Sequence, residues 1–202
     1  MALTAFTMPL ASTWKFSDNI IGAADIAAVY TAGALGAPGI TPLPSAVIEQ
    51  QLFQVVKGTS YDATYGGTAQ FIFLAIPTSS TVTQGLLYTY NGSGVVVLGT
   101  SIATASQSGL PLVLALNTVA SNANSIQYSW FLVQGRGAAL KTATIAVQPG
   151  APLFVSGLTA GRVRTTGSAF RSIIGVRASN TVTASGSVLP VILQFPNVGS
   201  GA

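Results

Sequence analysis

The stretch Leu86-Leu87-Tyr88-Thr89-Tyr90-Asn91-Gly92-Ser93-Gly94-Val95-Val96-Val97-Leu98 decides the fold class. Two runs of apolar, aromatic and β-branched residues flank a short polar centre rich in glycine. Asn-Gly between such runs is a strong hairpin signal, because both residues accept the backbone angles of a tight turn. Working outward, the same punctuation recurs. Gly66-Gly67 is a turn, and Ala69 to Ile76 is a strand ended by Pro77. Leu112 to Leu116 reads as a short buried strand. Gln127 to Val133 alternates, and Gly135-Arg136-Gly137 is read as a turn into Ala138 to Thr142. Thr144 to Val147, stopped by Pro149-Gly150, is followed by strands at Leu153–Val155, Gly161–Thr165, Ser172–Ala178 and Val188–Phe195. Val47 to Lys57 reads as one extended run, although Glu49-Gln50-Gln51 also suits a helix. About ten short strands with regular turn signals predict an all-β chain, a sandwich or barrel.

The first 45 residues differ. Apolar positions there have no sustained period, and Thr31 to Ser45 is dense in Gly, Ala and Pro, which oppose helices and ladders. We expect an irregular N-terminal arm over 1–45, with a short helix at Ile20–Tyr30 capped by Asp18 or Asn19. A β-domain then occupies 46–202, with an internal loop near 121–125. The end, Gly199-Ser200-Gly201-Ala202, is expected to fray. Trp14, Phe16 and Tyr30 are stranded aromatics within the arm, which suggests ordering against a partner.

Composition narrows the chemistry. Histidine and cysteine are absent, and no acidic residue follows Asp62. General acid–base catalysis and metal binding draw chiefly on the side chains that are scarce here. We therefore expect no enzyme, no catalytic residues, no cofactor and no metal. Asp18 and Asp25 lack an oxygen-rich loop between them, so a calcium site would need tertiary convergence. Lys141 would serve as a base for a serine only if buried and shifted in pKa. Gly92-Ser93-Gly94 and Gly135-Arg136-Gly137 lack the Gly-Lys-Ser/Thr of a phosphate loop, and hairpin turns explain both.

Charged residues make up 6% of the chain, against about 25% in an ordinary soluble domain. A surface so poor in charge is expected to be covered by other copies or by a partner. Residues 1–62 hold four acids and two lysines, whereas the rest holds six basic residues. These six are not clustered or interleaved with aromatics as phosphate binding requires, which argues against direct nucleic-acid contact. Arg162-Val163-Arg164 places two guanidinium groups on one side of a strand. That suits a solvated edge or a contact between subunits. No run of 18 apolar residues and no secretory leader is read, so we expect no membrane partner.

Several segments together resemble a family. Gln54-Val55-Val56-Lys57-Gly58 with Tyr61-Asp62-Ala63-Thr64-Tyr65-Gly66-Gly67-Thr68-Ala69-Gln70-Phe71-Ile72-Phe73-Leu74 resembles the opening of tailed-phage capsid decoration (cement) proteins. Tyr128-Ser129-Trp130-Phe131-Leu132-Val133-Gln134-Gly135 with Ala138-Ala139-Leu140-Lys141-Thr142 is similar to that family's strand–turn–strand. Gly150–Val155, Thr159–Val163 and Ile174–Ala178 continue the order, over roughly 52–195 in all. The chain has Gln70 where relatives often carry an acid, and Arg162 and Arg164 where acids are common.

The resemblance implies a non-enzymatic protein on the outer surface of the virion's capsid. It would be made in the host cytoplasm, form a homotrimer, and clamp the major capsid protein. Trp14, Phe16, Tyr30, Trp130, Arg162 and Arg164 are the expected interface residues, and the arm is the expected clamp. Another virion component, such as a tail or head fibre or a coat protein, is the alternative. So is a glycan-binding β module that uses exposed aromatics.

Overall fold

The structure is a computed structural model that describes residues 6–8, 11–17, 24–32, 40–98, 109–120, 122–142, 146–156, 159–165 and 172–199. A 3-10 turn at Ala11–Thr13 precedes β1 (Lys15–Phe16), β2 (Val29–Ala32) and β3 (Ile40–Leu43). Helix α1 (Ser45–Gln51) leads into β4 (Val55–Ser60), β5 (Gly67–Ile76), β6 (Leu87–Tyr90), β7 (Val96–Leu98) and β8 (Leu112–Ala115). The second half supplies β9 (Gln127–Leu140), β10 (Pro152–Val155), β11 (Val163–Arg164), β12 (Ser172–Ala178) and β13 (Val188–Val198). The fold is all-β and sandwich-like. Its main path runs β1-β4-β5-β9-β13-β12-β10-β11, and β2–β3 is the one parallel pair among these strands.

The opening hairpin forms as expected, with β6 and β7 antiparallel and Tyr90 opposite Val96. Its turn is not built on Asn-Gly. The residue at positive φ is Gly94 (71°), and the Gly94 N–H donates to the Asn91 carbonyl at 3.0 Å. Asn91 Oδ1 accepts from Ser93 N–H and Val95 N–H, both at 3.0 Å. A three-residue loop closed by a left-handed glycine suits the strand twist.

Two apolar clusters fill the interior. The larger lies on one side of this continuous sheet and holds Phe71, Phe73, Trp130, Leu189 and Leu193, with Leu87, Leu112 and Leu114 from β6 and β8. The smaller holds Ile72, Leu74, Ile76, Tyr88, Val113 and Phe131. It is enclosed because β8 and β6 continue from β9, and Val95 then bridges back to Ala75 of β5. β5 therefore has protein on both faces, which is why Phe71-Ile72-Phe73-Leu74 shows no polar alternation.

Three features depart from the sequence reading. The run Val47 to Lys57 is not one strand. Pro44 presets the start of α1, and its carbonyl accepts from Val47 and Ile48 N–H. The extended chain resumes only at Val55. Second, Gly135-Arg136-Gly137 is no turn: β9 runs unbroken for 14 residues. Gly135 instead carries a φ of 117° beside a register shift against β5, a bulge that bends the strand from β5 toward β13. Third, Val147 makes only a bridge to Val182, and 143–145 lie outside the described residues.

The first 45 residues are also knitted into the fold where they are described. β1 pairs with β4, and β2 pairs with β9. Residues 24–30 form a turn and the start of β2 rather than a helix, while Asp18, Asn19 and 20–23 lie outside the described residues. Tyr65 donates its hydroxyl to the Thr7 carbonyl at 2.9 Å. Residues 122–125 form no strand or helix, with Asn122 Oδ1 accepting from Asn124 N–H, and Ser121 lies outside the described residues.

Candidate functional site

The structure places four of the expected interface residues in the aromatic centre of this chain. Trp14, Tyr30 and Trp130 are buried. Trp14 meets Phe71 edge-on at 5.3 Å, and Phe16 meets Trp130 at 4.9 Å. Trp130 in turn lies 4.9 Å from Phe73, and Tyr30 lies 5.8 Å from Phe73. Tyr30 is pinned at its far end, donating its hydroxyl to the Asp25 carbonyl and accepting from Asp25 N–H, both at 2.9 Å. Aromatic side chains without an obvious sequence period are here core residues, because distant β5 and β9 supply their partners. Trp14, Tyr30 and Trp130 are thereby closed to another subunit, whereas Phe16 stays half-buried.

The arginine pair lies elsewhere. Val163 is fully buried, which leaves Arg162 and Arg164 on the opposite side of a two-residue strand. Both are half-buried, and Arg162 donates to the Lys141 carbonyl at 3.2 Å. Arg171 lies outside the described residues.

Lys141 meets the two conditions set for a base, but in a closed setting. It is 1% exposed, its ammonium donates to the carbonyls of Thr142 and Ala184, and burial pushes its pKa below the ordinary value. The arrangement ties the Thr142 and Ala184 carbonyls together through one buried ammonium. A lysine whose folded pKa lies below its unfolded one penalises folding at neutral pH, and the penalty fades as pH rises toward about 10. Tyr30 and Tyr65 act in the opposite sense. Burial pushes each up to about 12, so their contribution is intact below about pH 10 and is lost as pH climbs through their folded pKa. We expect wild-type melting temperature to rise relative to Lys141→Met between pH 7 and about 10, and both proteins to lose stability above that as the buried tyrosines ionise. Parallel wild-type and mutant pH profiles would refute this assignment.

The surface signal that composition did not localise is an open sheet face. On β4, Val55 and Lys57 point outward and alternate with buried Val56. On β13, Ile192 and Gln194 are exposed between buried Val191 and Leu193. On β12, Ile174 and Arg177 are exposed. Register aligns these positions into rows. Lys57, Gln70, Gln134 and Gln194 stand opposite one another across four strands. The next row is Arg136, Ile192 and Arg177 across β9, β13 and β12. These five strands contain no Asp or Glu.

One end of this face is marked by backbone strain. Phe195 has φ 45° and is 55% exposed. It sits in a bulge of β13, where Gln194, Phe195 and Pro196 stand opposite the single Gly175 of β12, whose φ is 79° and where a Cβ would stand 2.6 Å from the Gln194 carbonyl oxygen. Phe53 has φ 65° and is 37% exposed. It leaves α1 and rests on the hairpin, with its ring 6.1 Å from that of Tyr90. Tyr90 and Phe195 line one cleft of about 200 Å³, together with Pro111, Val133 and Pro196. A bulky residue at positive φ costs about 1–3 kcal/mol. A second cleft of about 270 Å³ is lined by Ala11, Gln84, Asn117 and neighbours, but Asn117 is committed to the Ile26 carbonyl and Ser129 Oγ.

Among the described residues no three His, Cys, Asp or Glu side chains gather as metal ligands, and no helix is long and apolar enough to cross a membrane. Compared with protein families and with curated proteins, the chain matches none.

Proposed function

We propose that this protein is a non-enzymatic component of a phage particle that binds the outside of the capsid and stabilises the shell. The observation that carries this reading is the exposed part of the sheet face, where Lys57, Arg136, Arg177, Ile192 and Gln194 stand on β4, β9, β12 and β13. It presents basic, amide and apolar side chains and has no carboxylate in its strands. Such a face suits docking onto another protein, where an apolar centre supplies affinity and cations select the partner. The likeness of several segments to decoration proteins supplies the class of partner, the major capsid protein. Binding the assembled shell in preference to a loosened one raises the stability of the assembled state by mass action. Three copies around a local three-fold axis would close the assembly without forming fibres.

The N-terminal clamp takes a narrower form in this reading. The described parts of 1–45 belong to the chain's own sheet, so the face, not the arm, does the docking. Antibody–gold labelling of intact particles is expected to place gold over the head. Gold confined to the tail would favour a fibre. The absence of the protein from both intact and disrupted particles would overturn the virion reading and favour a glycan-binding module.

A further inference from the structure

We infer that the cleft between Tyr90 and Phe195 is the anchor point for the partner. It receives one apolar side chain from a carboxylate-bearing segment of the coat protein. This inference rests on the reading of the open face as a capsid-docking surface, and it names where and how that surface grips.

Size argues first. Small-molecule sites usually enclose about 300–1,000 Å³, and this cleft offers about 200 Å³. It is too small for an ordinary ligand and suited to a single protruding side chain. Tyr90, Pro111, Leu112, Val133, Phe195 and Pro196 give it apolar walls for a hot-spot side chain, and Asn197 adds a polar group at its edge.

Strain argues second. Two of the three non-glycine residues at positive φ among the described residues are Phe53 and Phe195; both are partly exposed, Phe53 with its ring 6.1 Å from that of Tyr90 and Phe195 lining the cleft with Tyr90. A phenylalanine held outward in an unfavourable backbone region gains the protein little by itself. Glycine would fit either backbone better. Such strain is retained at sites that present a side chain to a partner.

Charge selects the occupant. The rows beside the cleft carry Lys57, Arg136 and Arg177. A second copy of this chain is a poor source of carboxylates, since the whole chain has four acids. Asp25 and Asp62 each spend an oxygen on their own turns, accepting from Ala27 N–H and from Thr64 and Tyr65 N–H. Nucleic acid fits less well, because glutamines and isoleucines separate the cations where phosphate binding favours dense Lys and Arg. A different protein with acids around an apolar tip fits best.

The test titrates the full chain onto heads prepared without it and measures bound protein by sedimentation. Phe195→Gly is the main variant, because relief of the positive φ keeps or raises the melting temperature. Arg136→Glu with Arg177→Glu is the second. We expect Phe195→Gly to weaken binding at least tenfold with no loss of thermal stability. The charge reversal should weaken it similarly and abolish its salt dependence. Wild-type binding left unchanged by Phe195→Gly would overturn the anchor while leaving capsid binding intact. Failure of the wild type to bind heads would overturn the proposed function together with this occupant. Binding to single-stranded DNA, or self-association lost in the same variants, would replace the coat protein with those partners.

Discussion

Trp130→Ala is expected to cost the fold about 3–5 kcal/mol, the range for truncating a large aromatic in a filled core. Trp130 is fully buried in β9 and touches two rings at 4.9 Å, Phe16 from the N-terminal segment and Phe73 from β5. Its removal leaves a void where the first residues of the chain, β5 and β9 converge. For a chain of this size each kcal/mol shifts the melting temperature by about 2–4 °C, so a fall of roughly 6–20 °C follows. Phe16→Ala shares part of the same contact. In a double-mutant cycle the pair should couple by about 0.5–1.5 kcal/mol, the value of an edge-on aromatic pair. Additive losses would show that Phe16 does not pack on Trp130 in solution. A Trp130→Ala protein that melts like wild type but binds its partner poorly would restore Trp130 to the interface.

Gly66→Ala is the second large effect, expected at about 3 kcal/mol, at the upper end for forcing extra atoms into a packed site. Asp62 organises the turn between β4 and β5. Its Oδ1 accepts from Thr64 N–H at 2.8 Å and Tyr65 N–H at 2.7 Å, and its carbonyl accepts from Gly66 N–H at 2.8 Å. A Cβ on Gly66 would press directly on the Asp62 carbonyl oxygen and stand 2.8 Å from the Ser60 carbonyl oxygen. Both obstacles are backbone, so neither can swing aside. Gly92→Ala is the control. Nothing lies within 4 Å of its Cβ position, and an unstrained Gly→Ala change is worth about 0.4–1 kcal/mol of stabilisation through the unfolded chain. Urea unfolding of the three proteins checks the contrast. Equal midpoints for Gly66→Ala and wild type would mean that this turn opens at no cost.

The hairpin at 86–98 was legible because its two strands are joined by a local turn, so the pairing needs no distant information. The strands Ser172–Ala178, Leu112–Ala115 and most of Gly67–Ile76 were legible for a similar reason, being short apolar runs between turn residues. Gly135-Arg136-Gly137 misled because glycine marks a bulge as readily as a turn. Only the ladder to β13, with Arg136 opposite Ile192 and Gly137 opposite Val191, keeps the chain extended there. The candidate site was less legible than the fold. Exposed Phe195 and buried Phe73 look alike in sequence, and a bulge opposite Gly175 decides which faces outward.

By itself the sequence determined the β class, the scarcity of charge, and the want of histidine and cysteine, because these are local or compositional properties. Tertiary structure decided the rest. It put Trp14, Phe16 and Tyr30 into the interior, since their partners Phe71, Trp130 and Phe73 come from strands more than 40 residues away. It also left uncovered the part of one sheet face that carries Lys57, Arg136, Ile192, Gln194 and Arg177, while burying the rest of that face along β5 under β6 and β8. Strand alternation specifies two faces for every strand, but only long-range pairing determines which of them meets another layer and which meets water.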